Sequence, residues 1–160
     1  MDRGNTHMGS PAELKAALKP GQRLLGLDLG TKTIGLGLSD PTLIIASPLL
    51  TIARQKFTQD VVELQAVIAK HAVGGLVIGL PVNMDGTEGP RCQSARQFAR
   101  NLAGKIDLPY LFWDERLSTV AVTRTLLEAD ASRQRRAEVV DKMAAAYILQ
   151  GLLDALPRAF

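Results

Sequence analysis

Residues 24–38, Leu-Leu-Gly-Leu-Asp-Leu-Gly-Thr-Lys-Thr-Ile-Gly-Leu-Gly-Leu, set two apolar runs on either side of a short glycine-containing turn. That pattern predicts strands over 22–29 and 32–39, paired antiparallel as a hairpin. One acid, Asp28, sits inside the first run. A carboxylate among buried neighbours is costly unless a cation or a hydrogen-bond network compensates it. The Gly30-Thr31-Lys32-Thr33 turn beside it supplies backbone N–H groups, hydroxyls and an ammonium, the donors a phosphate needs.

Working outward, a third strand is expected at about 43–52, where Pro48 marks an edge position or a bulge. Upstream, a short helix at 12–18 ends at Pro20-Gly21, and residues 1–10 read as a polar tail outside the fold. Downstream, Val61, Leu64, Val67 and Ile68 carry helical spacing within 57–72, and Gly74-Gly75 is expected to stop that helix. Leu76–Leu80 is fully apolar, as in a strand covered on both faces. A polar loop, Pro81–Gly89, precedes a basic helix at roughly 90–105 and a strand over Tyr110–Asp114. Ser118 is suited to cap a helix over 119–128. An arginine-rich connection at 129–136 then leads to a helix over 137–154.

The order βββ-α-β-α-β-α-α implies an α/β fold. The expected sheet is mixed and five-stranded, antiparallel through its first three strands and parallel thereafter, with helices on both faces. Residues 1–20 form the tail and short helix, and 21–155 a single domain.

Composition narrows the class. With 46% hydrophobic and 22% charged residues, the chain of 160 is an ordinary globular one. Its single cysteine, Cys92, excludes an internal disulfide framework and a thiolate metal cluster, and fits a reducing cytoplasm. No apolar run is long enough to span a bilayer, and the amino terminus lacks a signal-peptide apolar region, so no membrane partner is expected. The net charge of +3 is mild, but its distribution is uneven. Arg91, Arg96, Arg100 and Lys105 lie between Pro90 and Ile106 with no acid among them, and Arg133, Arg135 and Arg136 form a second cluster. Such clusters are either solvated helix faces or the footprint of a nucleic-acid partner.

Acids lie at three places where strands end or a helix can face the sheet: Asp28, Asp114-Glu115, and Asp141. Ala144 and Ala145 keep the helix face near Asp141 thin enough to approach the sheet. Converging carboxylates repel unless cations bind between them. Oxygen donors without histidine or cysteine suit Mg²⁺ or Mn²⁺, and a metal pair of that kind hydrolyses phosphodiesters. His7 and His71, in the tail and at a helix end, are assigned no chemistry. Plainer readings stand beside these. Asp114 and Asp40 also suit loop caps, Asp141 suits an acid in a helix's first turn, and Lys32 suits a plain turn lysine. Glu138, one turn before Asp141, is an alternative inward acid. Asp114 and Glu115 would face opposite ways if the strand continued, so only one would reach the site.

Four blocks in register carry a family resemblance. They are Gly26–Gly35; Val77-Ile78-Gly79-Leu80-Pro81 with Asp85-Gly86; Asp114-Glu115-Arg116-Leu117-Ser118-Thr119; and Val140-Asp141-Lys142-Met143-Ala144-Ala145, running on to Ile148-Leu149-Gln150. Together they resemble the YqgF/RuvX family of pre-16S rRNA nucleases and Holliday junction resolvases, over about Leu24 to Leu153. The resemblance implies an RNase H-like fold and a hydrolase using two divalent ions. It makes Asp28 the acid that bridges both metals, Glu115 the second acid and Asp141 the helical one. No fourth acid is identified securely; Glu138 is the nearest.

From the residues themselves, Thr31, Lys32 and Thr33 are then expected to hold the scissile or adjacent phosphate, and Arg116 to steady Glu115 or bind a phosphate of the nucleic-acid backbone. The 81–89 loop and Arg133–Arg136 would line the approach, with Arg91, Arg96 and Arg100 as further groove cations. RNA is favoured over branched DNA, and the assembly is a monomer or a homodimer. Two other classes compete: an actin-like ATPase, which needs two such domains, and a non-catalytic nucleic-acid-binding assembly factor.

Overall fold

A computed structural model describes residues 6–117 and 133–157. Alternation along β1 (Arg23–Leu29) sends Leu25 and Leu27 to one side of the sheet, and Leu24 and Asp28 to the other. β1 pairs antiparallel with β2 (Thr33–Ser39), which pairs antiparallel with β3 (Ala46–Ala53). On its other edge β1 runs parallel to β4 (Val73–Leu80), and β4 runs parallel to β5 (Tyr110–Asp114). The sheet order is therefore β3-β2-β1-β4-β5, mixed as expected. Pro48 lies on an edge strand and next to a register shift, where Leu36 pairs with Leu50 but Gly37 with Pro48. Both consequences of its missing N–H are met.

Helices cover both faces. α2 (Phe57–Lys70) and α3 (Pro90–Ala103) bury Val61, Leu64, Phe98 and Leu102 against Leu25, Leu27, Leu36 and Ile78. α1 (Pro11–Ala17) and α4 (Arg133–Asp154) bury Leu14, Ile148, Leu149 and Leu152 against Leu24 and Val77 on the opposite face. Full burial of each such leucine or isoleucine is worth about 1.5–3 kcal/mol.

Several boundaries differ from the sequence expectation. Gly74 and Gly75 do not stop α2; both lie inside β4. The helix ends at Lys70, and Ala72 makes the reversal with φ of 53°. β3 begins at Ala46, later than expected, because Asp40 organises residues 40–45 into a turn. Its carboxylate accepts from the N–H groups of Thr42, Ile44 and Ile45 and from the Thr42 hydroxyl. Residues 6–10 belong to the fold. Tyr110 donates its N–H to Thr6, and Met8 donates back to Tyr110, so this segment covers the open edge of β5. His7 stacks on Tyr110, with ring centroids 5.2 Å apart. Ser10 caps α1 through the N–H of Glu13. Arg133, Arg135 and Arg136 fall within the first turns of α4 rather than in a connection. Ser118 and the helix expected over 119–128 lie outside the described residues.

Candidate active site

Asp28 is 3% exposed near the end of β1, on the sheet face that α4 crosses. Its antiparallel partner on β2 is Gly35. Directly paired residues point the same way, so a side chain on Gly35 would share the face of Asp28. A β-carbon there would overlap the backbone of Asp141 in α4. On the other flank, the register that pairs Leu27 with Ile78 sets Gly79 beside Asp28. A β-carbon on Gly79 would lie 2.9 Å from Glu115 Oε1 and 2.5 Å from Ile148 Cδ1. Asp28 is thus flanked by two positions without side chains. The backbone carrying one acid fills the first, and the carboxylate of another fills the second.

Glu115 reaches this face because the chain does not continue as a strand. β5 ends at Asp114, and a single 3₁₀ turn over Glu115–Leu117 turns Glu115 back across β4. Asp114 takes a different role. Arg116 donates to it through Nε at 3.2 and 3.1 Å and through Nη2 at 2.7 Å, and the Arg116 N–H adds a bond of 2.9 Å. The Arg116 side chain holds the Asp114 carboxyl below its ordinary value. Of its two neighbouring acids, Arg116 is held through these bonds by Asp114. Its fork fits the adjacent carboxylate of Asp114, and Nη1 reaches the Met84 carbonyl of the 81–89 loop at 3.4 Å.

Asp141 has a positioning partner. The Thr33 hydroxyl donates to its Oδ2 across the β2–α4 contact. Thr33 was expected to hold phosphate; here its hydroxyl is committed to an acid. Thr31 and Lys32 remain exposed in the turn. Glu138 and the arginines at 133, 135 and 136 have side chains outside the described residues. Among the described residues, no three acidic, histidine or cysteine side chains are grouped closely enough to hold a metal ion. The donor set at the site is nevertheless all oxygen, from carboxylates on two strand ends and one helix, and it suits a hard divalent cation.

The basic helix splits. Arg96 bonds Glu88 through Nε at 2.7 Å and Nη2 at 2.8 Å, and lies over the Phe112 ring at 5.0 Å. Its charge is paired with an acid just outside the acid-free window. Arg91 and Arg100, nine residues apart, point about 180° away from each other around the helix. Arg100 bonds Gln97, while Arg91 faces the strand ends beside the Gly30 turn. Arg54 went unnoticed in the sequence, where no motif frames it. Its Nη1 donates to the Gly30 carbonyl at 2.6 Å, and its guanidinium lies 5.3 Å from the Phe98 ring centroid.

The profile of the RuvX family, described as Holliday junction resolvase, matches residues 22–155. The chain belongs to the RuvX family. It is 72% identical over 145 residues to a protein of Paramagnetospirillum magneticum named "Putative pre-16S rRNA nuclease", covering 91% of this chain and 94% of that one. A protein of the same name from Rhodospirillum rubrum is 64% identical, with 89% of each chain covered. Among solved structures, Thermus thermophilus RuvC in complex with a Holliday junction substrate aligns with a TM-score of 0.51 at 12% identity, over 84% of this chain and 95% of that one. That likeness places the RuvX chain in the RNase H-like fold. No described helix is long and apolar enough to cross a membrane.

Proposed function

We propose that this RuvX-family protein is a metal-dependent endonuclease that hydrolyses phosphodiester bonds in nucleic acid, trimming the 5′ end of precursor 16S rRNA in the cytoplasm. One observation carries the reading: Asp28 lies between Gly35, covered by the Asp141 backbone, and Gly79, covered by the Glu115 carboxylate. The elements that carry the three acids, two strand ends and one helix, thereby converge on one sheet face. The name shared by the close relatives supports rRNA as the substrate.

Asp28, Glu115 and Asp141 would hold Mg²⁺ or Mn²⁺, two ions when substrate is present. Bound there, the metal supplies an activated water and stabilisation of the leaving oxygen. The chain's own residues do the rest. Thr33 orients Asp141, while Thr31 and Lys32 present a hydroxyl and an ammonium at the exposed turn for the phosphate. Phosphate contacts fix position without reading sequence, so substrate choice rests on RNA shape.

The family's description favours a second reading, cleavage of four-way DNA junctions. Paired cuts at a junction require a two-fold symmetric dimer, whereas rRNA trimming works from a monomer. The test incubates the protein with labelled precursor rRNA and with a labelled four-way junction, each in Mg²⁺, Mn²⁺ or EDTA. Metal-dependent cutting of the RNA is expected. Cutting of the junction alone supports the second reading, and cutting of neither leaves the non-catalytic assembly factor.

A further inference from the structure

A cavity of about 240 Å³ opens between the β1–β2 turn, the end of β3 and the first turns of α3, lined by Gly30, Thr31, Arg54, Arg91, Ser94 and Phe98 among others. No acid lines it. The two described ion pairs elsewhere, Arg96–Glu88 and Arg116–Asp114, neutralise their arginines. Neither Arg54 nor Arg91 has a carboxylate partner among the described residues. Two guanidiniums sharing one cavity repel each other until an anion sits between them. Arg54 is also pre-set. With Nη1 on the Gly30 carbonyl and its guanidinium carbon over the Phe98 ring, it loses little freedom on presenting its other N–H groups to a ligand.

We propose that this cavity is a second phosphate subsite, gripping a backbone phosphate of the same nucleic-acid strand whose neighbouring linkage lies over the acids. The proposal rests on the nuclease reading. Its geometry comes from the turn: Gly30 and Thr31 wall the cavity, while Asp28, two residues earlier, projects on the opposite sheet face. A strand passing over the strand ends meets carboxylates on one side of the turn and guanidiniums on the other. The Phe98 side of the cavity is apolar and suits the sugar beside the phosphate, which a free anion lacks. The Thr31 and Ser94 hydroxyls add donors to the phosphate oxygens.

The test measures binding of a fluorescent single-stranded RNA oligonucleotide by anisotropy, in EDTA so that cutting is held off, across a range of salt. The double variant Arg91→Gln/Ser94→Ala changes two exposed residues and is expected to keep the wild-type melting temperature. It should raise Kd about tenfold and flatten the log Kd against log salt line by about 0.7 for one lost single-strand phosphate contact. Arg54→Lys keeps the charge but loses the fork, and should weaken binding by a smaller factor. With Mg²⁺ restored, both variants should raise KM while leaving kcat near wild type. Wild-type Kd and salt slope in the double variant would overturn the subsite and leave the nuclease reading intact. Wild-type protein that binds RNA but never cuts it would overturn the nuclease reading while the binding loss still supports the subsite. Absence of wild-type binding overturns both.

Discussion

Gly35 and the Asp141 backbone occupy one space: a β-carbon on the strand residue would overlap the carbonyl of the helix residue. The same closeness recurs along the crossing, where β-carbons on Gly26 and Gly37 would come within 2.8 Å of Ala145 O and Ala146 Cα. The α4 backbone lies this close to β1 and β2 because the strands carry no side chains at these positions. Position of the site and packing of the core are one geometric fact here.

It follows that Gly35→Ala should damage both together. The clash is with backbone, which cannot rotate away, so the cost should reach about 3 kcal/mol, the upper end of ordinary overpacking. Thermal melting should show a fall in Tm of roughly 6–12 °C. Any folded fraction should cut RNA more slowly than wild type at saturating metal. A variant with wild-type Tm and rate would mean that α4 does not need this approach.

Thr33→Val separates stability from activity. The substitution keeps shape and removes only the donor to Asp141. Loss of one partly buried hydrogen bond should cost about 1 kcal/mol of stability. The metal concentration for half-maximal cleavage should rise about tenfold, the low end for losing an orienting partner of a metal ligand. Metal titration of the cleavage rate checks this. An unchanged titration with a raised KM would return Thr33 to the phosphate-binding role that the sequence suggested.

Asp40 predicts a pH dependence. Burial alone would raise its carboxyl, but the Ile45 N–H, the Thr42 hydroxyl and the N–H groups of Ile44 and Thr42 outweigh it, and the group titrates well below the usual carboxylate range. Because its folded value is depressed, the stabilisation is present above the unfolded value near 3.8 and is lost as pH falls below it. Asp40→Asn should therefore lower the urea midpoint at pH 7, and the gap to wild type should close as pH falls below about 4. A gap that stays constant with pH would show that the charge is not what holds the turn.

Much of this was legible in the sequence, for identifiable reasons. The hairpin, the edge character of β3 and the fully buried β4 follow from apolar runs punctuated by a turn, a proline and unbroken aliphatics. The same logic misplaced Gly74-Gly75, because a glycine pair that breaks a helix in isolation also fits a strand that lies against the side chains of Gln22 and Leu24. Residues 6–10 looked like tail because their role is to pair with an edge strand far along the chain. At the site, Asp28 announced itself as an acid among aliphatics. Partner choice did not: a linear Asp-Glu-Arg block does not say that Arg116 takes Asp114 and leaves Glu115 to turn over Gly79. Arg54 carried no signal, since its importance comes from standing over Phe98 and Gly30, both distant in sequence.

The most direct test of the account compares wild type with Asp28→Asn on labelled precursor rRNA in Mg²⁺, Mn²⁺ and EDTA, with folding of both checked by circular dichroism. Wild type is expected to cut only with metal. The variant, near-isosteric but without the charge, should be slowed by more than the roughly 10–100-fold typical of losing an outer-shell partner. A folded Asp28→Asn protein that cuts as fast as wild type, or a wild type that cuts equally well in EDTA, would contradict it.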